Sequence, residues 1–114
     1  MRRGEVWLVN LDPVVGAEMR KTRPAVIVSS DLVGILPLRV MVPLTDWKER
    51  YRIAPWMVRL TASPDNGLEK DSAADCFQVR SLSTSRLVRK LGSLTAEEMA
   101  QIQDAIVVVL ELER

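Results

Sequence analysis

Glu18-Met19-Arg20-Lys21-Thr22-Arg23-Pro24-Ala25-Val26-Ile27-Val28-Ser29-Ser30-Asp31 joins a basic loop to an apolar strand through an Arg-Pro step. The run Ala25-Val26-Ile27-Val28 reads as a buried strand, and Pro24 biases Arg23 toward an extended conformation at its entrance. A guanidinium fixed at the rim of a strand matches phosphate oxygens in a bidentate geometry. The competing reading is an edge arginine paired with a nearby carboxylate, such as Glu18.

Working outward, the sequence predicts more strands. Val6-Trp7-Leu8-Val9-Asn10-Leu11 is a nearly continuous apolar run closed by Asp12-Pro13. The connection from there to Ala25 is long for a hairpin, which marks it as a candidate functional loop. Leu38–Val42 alternates and is expected to stop at Pro43, Trp56–Leu60 forms a fourth strand, and Ala74–Val79 forms a fifth. Ser63-Pro64-Asp65-Asn66-Gly67 is a dense turn signal. Short strands at such spacing point to a mainly β domain, a small barrel or sandwich, over 1–114.

The period changes at the C-terminal end. Thr95 and Glu98 have capping-box spacing, and Leu94 and Met99 stand where a hydrophobic staple places them. Met99, Ile102, Ile106 and Val109 then make the stripe of an amphipathic helix. Val107, Val108 and Leu110 widen it, either as a second-copy interface that would make a homodimer or as additional core.

Composition narrows the chemistry. Hydrophobic residues at 47% and charged residues at 27% describe a globular chain that can bury a core. No apolar run suits a membrane span, and Cys76 is the single cysteine, so a cytoplasmic setting without an intrachain disulfide is expected. With Phe77 and Val79 as neighbours, that thiol reads as buried and structural. With no histidine, the chain lacks the usual neutral-pH acid and base, every Ser-His-Asp device and most zinc sites. The net charge of +1 hides an asymmetry. Residues 1–60 hold ten Lys and Arg against six Asp and Glu, whereas residues 61–114 hold six against nine. The basic half suits a polyanion such as nucleic acid, or it is an ordinary solvated surface.

Gly4-Glu5-Val6-Trp7, Leu11-Asp12-Pro13, Gly16-Ala17-Glu18, Thr22-Arg23-Pro24, Val42-Pro43-Leu44-Thr45, Gln78-Val79-Arg80 and Leu91-Gly92-Ser93-Leu94 follow one another in an order that resembles the MazF/PemK toxins. The resemblance covers nearly the whole chain. It implies an SH3-like, CcdB-like β-barrel with a C-terminal α-helix, working as a homodimer. It also implies a sequence-specific endoribonuclease, an mRNA interferase, that cuts single-stranded RNA with no metal or other cofactor. The ends would be a 2′,3′-cyclic phosphate and a 5′-hydroxyl, and a MazE-like antitoxin would be the inhibiting partner.

By the same resemblance Arg23 and Thr45 match the family's catalytic arginine and threonine, and Glu18 a loop glutamate implicated in some members. Arg23 suits charge stabilisation, since its high pKa makes it a poor base. Glu18 is the better base if the loop brings it to the 2′-oxygen. Thr45 would hydrogen-bond a phosphate oxygen, or else cap a turn after Pro43. Gln78 and Arg80, alternating about Val79, are expected on one side of a strand as RNA-binding residues. Arg20 and Lys21 are RNA-binding candidates on a loop that could equally be solvated. Arg86, Arg89 and Lys90 read as an exposed face, and Trp47, Tyr51 and Trp56 as base-stacking or packing aromatics.

Ser81-Leu82-Ser83-Thr84 and the apolar connection Asp31–Leu36 depart from the family pattern beside the expected RNA groove. They bear on which RNA sequence is recognised. The alternative function is that of CcdB-like toxins, which share the barrel and bind DNA gyrase; the apolar C-terminus is the ground for it.

Overall fold

A computed structural model describes residues 1–113, with seven antiparallel strands and one α-helix. The strands are β1 (Glu5–Asn10), β2 (Thr22–Ile27), β3 (Leu38–Asp46), β4 (Met57–Leu60), β5 (Ser72–Asp75), β6 (Arg80–Ser83) and β7 (Leu87–Ser93), followed by α1 (Ala96–Leu110). They pair in the order β4-β5-β3-β2-β1-β7, with β6 on β3.

The continuous apolar character of β1 and β2 arises because both faces of the sheet are covered. Val6, Val26, Val42, Leu44, Val58, Leu60, Ala74 and Cys76 meet Ile102 and Ala105 of α1 in one core. Val9, Leu11, Ala25, Ile27, Met41, Leu82 and Leu87 form a second on the opposite face. Strand alternation sends neighbours such as Val26 and Ile27 to different cores. Because β1 through β5 all contribute to the first, the sheet curls around it, the barrel-like form expected of a mainly β chain.

Several boundaries differ from the sequence reading. β3 does not stop at Pro43 but continues to Asp46. Its partner changes there: Pro43 is opposite Ala25 of β2, and Leu44 is opposite Ala74 of β5. Proline is tolerated at a point where one ladder hands over to another. The strand expected over Ala74–Val79 is instead β5 followed by a tight 3-10 turn, Cys76–Gln78. Asp75 causes the bend, because its carboxylate accepts the Phe77 N–H at 3.1 Å and so competes with the ladder. Gln78 and Arg80 therefore do not alternate along one strand. β6 and β7 escaped notice because each is polar apart from a few positions, including the buried Leu82 and Leu87.

α1 begins with the expected capping box: Glu98 N–H donates to Thr95 Oγ1 at 3.1 Å, and Thr95 N–H donates to Glu98 Oε1 at 2.9 Å. Met99, Ile102 and Ala105 are buried, while Ile106 and Val109 pack partly against the first core. Val108 and Leu110 are exposed, so the widened stripe is not additional core within this chain. No helix among the described residues is long and apolar enough to cross a membrane.

Where the turn after β4 meets β7, two backbones nearly touch. Gly67 has φ +68°, and a Cβ there would collide with the Leu91 carbonyl. This contact closes one side of the cleft described next.

Candidate active site

Arg23 and Thr45 stand at adjoining ends of β2 and β3, each two residues beyond the Ala25–Pro43 pair. Arg23 Nη1 lies 3.4 Å from Thr45 Oγ1, and Arg23 Nε donates to the Arg20 carbonyl at 3.0 Å. The second bond anchors the guanidinium to the loop and leaves donors on its far side. Among the described residues no carboxylate is within ion-pair distance of Arg23, so the edge ion pair of the competing reading does not form in this conformation.

The two residues border a cleft of about 550 Å³. Lys21, Lys70 and Arg89 line it too, with Thr22, Asp46, Glu69 and Ser72. Lys21 is held at φ 68° while its N–H donates to Asp12 Oδ1 at 3.0 Å, which turns the loop back toward β2. Lys70 is engaged by Asp46 at 3.3 Å. The cleft thus combines an anchored guanidinium and further cationic side chains with hydroxyl groups, the chemistry for a phosphodiester. Lys70 was not singled out from the sequence, and Arg89, read there as part of an exposed face, lines the cleft. Arg89 shows no local signal, because β7 must be known before its side can be assigned.

Glu18, Gln78 and Arg80 lie in a neighbouring cavity of about 360 Å³ with Leu11, Ala17, Met19, Pro43, Phe77 and Val79. Glu18 Oε1 accepts the Val15 N–H at 2.6 Å, and its other oxygen is 4.0 Å from Arg80 Nη1. In this conformation the carboxylate closes its own loop and does not face Thr45. Gln78 is also engaged at both ends: Oε1 accepts the Met19 N–H at 2.6 Å and Nε2 donates to Asp75 Oδ2 at 3.2 Å. Burial raises the Asp75 pKa, against the lowering effect of the hydrogen bonds from Phe77 and Gln78. Asp75 and Gln78 together tie the loop to the 3-10 turn.

The two cavities share one strand face. Alternation places Arg23 with Ala25, and Thr45 with Pro43, on the side of the second core. Pro43, two residues from Thr45, lines the second cavity.

Other sequence candidates are placed elsewhere. Arg20 is exposed, with Nη2 3.5 Å from the Gly16 carbonyl. Arg86 does not present a free face, since Nη1 donates to the Asn10 and Asp12 carbonyls at 3.1 and 2.7 Å. Lys90 pairs with Glu5 at 3.1 Å. Arg59 sits 5.0 Å over Trp47, which makes a T-shaped contact with Tyr51, so those aromatics are engaged with neighbours. Cys76 is buried and its thiol is pushed up to about 12 by burial and then by the Asp75 charge, as expected of a structural cysteine.

Residues 2–110 match the PemK-like, MazF-like toxins of type II toxin-antitoxin systems. The chain belongs to that family. It is 39% identical over 118 residues to Endoribonuclease MazF9 of Mycobacterium tuberculosis, covering 98% of each chain. Endoribonuclease MazF of Staphylococcus saprophyticus is 34% identical over 112 residues, covering 98% of this chain and 92% of the relative. Among solved structures, MazF of Deinococcus radiodurans superposes with a TM-score of 0.82 at 24% identity, covering 98% of this chain and 97% of that one. A mycobacterial endoribonuclease in complex with its cognate antitoxin gives a TM-score of 0.78 at 23% identity, covering 100% of this chain and 98% of that one. These structural likenesses establish the MazF fold, and the sequence relatives carry the family's activity.

Proposed function

We propose that this chain is the toxin of a type II toxin-antitoxin pair, a metal-independent endoribonuclease that cleaves single-stranded mRNA in the cytoplasm. The observation that carries this reading is the Arg23 guanidinium, fixed between the Arg20 carbonyl and Thr45 with no carboxylate partner among the described residues. The gyrase-binding alternative is not favoured, because the family match and the named relatives are MazF-type endoribonucleases.

In the proposed reaction the 2′-oxygen attacks phosphorus and the P–O5′ bond breaks, giving a 2′,3′-cyclic phosphate and a 5′-hydroxyl. Charge grows on the non-bridging oxygens, and Arg23 binds them more strongly in the transition state than in the ground state. Thr45 donates its hydroxyl to the same group from a strand end. Glu18 accepts the 2′-hydroxyl proton after exchanging its Val15 bond for substrate, while the leaving 5′-oxygen takes a proton from water. Lys21 and Arg20 meet flanking phosphates, and Arg80 and Gln78 line the groove for neighbouring nucleotides. The exposed Val108 and Leu110 are assigned to a homodimer, and a MazE-like antitoxin is the inhibitor.

The test is direct. Purified protein is incubated with a long single-stranded RNA in EDTA, and the new ends are mapped. Cuts at a short recurring sequence with 5′-hydroxyl ends support the reading, and intact RNA in the presence of folded protein contradicts it.

A further inference from the structure

Phe77 is 67% exposed, an unusual position for a phenylalanine on a tight and well-anchored turn. Its own N–H is held by Asp75 at 3.1 Å, and the following residue, Gln78, is clasped to Met19 and Asp75. Trp56 supports the ring in a T-shaped contact, with centroids 6.5 Å apart and planes at 72°. The ring is therefore positioned from beneath and open above. It forms part of the wall of the second cavity, beside Gln78 and Arg80.

That cavity adjoins the Arg23–Thr45 pair. Pro43 in its wall and Thr45 are two residues apart on one face of β3, about 7 Å along the strand. A nucleotide next to one whose phosphate lies at Arg23 would bring its base into this space. An exposed, pre-positioned aromatic beside a guanidinium and an amide suits the π-face of an unpaired base.

We propose that Phe77 is a specificity-determining residue of the RNA groove, carrying on its ring the base of a nucleotide flanking the scissile phosphate. The inference rests on the ribonuclease reading and deepens it, by assigning the second cavity to a stacked base. The cavity wall is mainly apolar, which suits the face of a base, and the Gln78 and Arg80 groups beside it, together with the strand face shared with Arg23 and Thr45, favour RNA over a protein partner for this ring. Trp56 acts through Phe77, as its support.

The experiment begins with cut sites mapped for the wild type on a long RNA. Short oligonucleotides spanning a preferred cut are then made with an abasic ribose replacing each flanking base in turn. At one flanking position the abasic substitution slows the wild type roughly tenfold, the scale of a single base–aromatic stack. Phe77→Ala slows the intact oligonucleotide by a similar factor and is indifferent to the abasic change at that position, whereas Phe77→Trp restores both rate and sensitivity. Phe77→Ala cutting the intact oligonucleotide at the wild-type rate would overturn the proposal. So would an equal loss on intact and abasic RNA, or a variant that keeps full base sensitivity but changes only its self-association or its affinity for an antitoxin. A wild type that cuts no RNA would fail the ribonuclease reading itself, and this inference with it.

Discussion

The two halves of the site are built differently. Arg23 and Thr45 stand on paired strands, where backbone hydrogen bonds and two cores fix their position. Glu18 stands on the long loop between β1 and β2, where its carboxylate spends one oxygen on the loop's own Val15 amide. Under the proposed function the strand half receives the phosphate as it stands, and the loop half exchanges its Val15 partner before taking a proton. In the proposed mechanism a clamp held by strands therefore works beside a base held by a loop.

The largest expected effect falls on the strand half. Arg23→Ala is expected to slow RNA cleavage by about 10³-fold, the scale of losing a preorganised transition-state donor, with little change in the thermal unfolding midpoint. An equal collapse of stability would show that the clamp is structural. Next comes the loop half. Glu18→Gln keeps the shape and a hydrogen-bond acceptor for Val15 but removes the base, and single-turnover cleavage is expected to fall by about 10²-fold. If Glu18→Gln retains wild-type rate, the loop carries no base and the contrast reduces to the clamp alone. Thr45→Ala should cost about tenfold, one hydrogen bond to the anionic phosphate, with Thr45→Ser retaining most of the activity.

The comparison extends to stability at the start of β1. Glu5 is largely buried, which opposes its charge, but hydrogen bonds from Trp7 and Arg2, the Lys90 ion pair and the N-terminal ammonium outweigh burial and lower its pKa from 4.5 to about 2. A carboxylate with a lowered folded pKa contributes stability above its unfolded value and loses it as pH falls through the folded one. Wild type should therefore lose part of its stability between pH 4.5 and about 2, a part that Glu5→Gln lacks. At neutral pH Glu5→Gln should be less stable by about 2 kcal/mol in denaturant unfolding, with the cleft chemistry unaffected.

What the sequence made legible divides along the same line. β1, β2 and α1 were readable because continuous apolar runs and a capping box are local signals. Arg23 and Thr45 could be paired through the family resemblance, and the structure gives the reason, the neighbouring ends of β2 and β3 just past the point where their ladder stops at Ala25 and Pro43. β6 and β7 were not legible, since their polar residues satisfy a curled sheet whose closure depends on distant partners. The Asp75–Gln78–Met19 clasp was hidden for the same reason: Gln78 looked like a free amide until the loop 59 residues away was brought against it. The turn at Cys76–Gln78 was masked by an apolar pattern that a single aspartate overrides.

The central claim is that Arg23 binds the transition state of RNA cleavage rather than RNA in general. The measurement that tests it most directly compares single-turnover cleavage with equilibrium binding of the same RNA carrying a 2′-deoxy substitution at the cut, for wild type and Arg23→Ala. The prediction is a loss of about 10³-fold in rate with less than about a tenfold loss in affinity. Rate and affinity falling together by the same factor would contradict it.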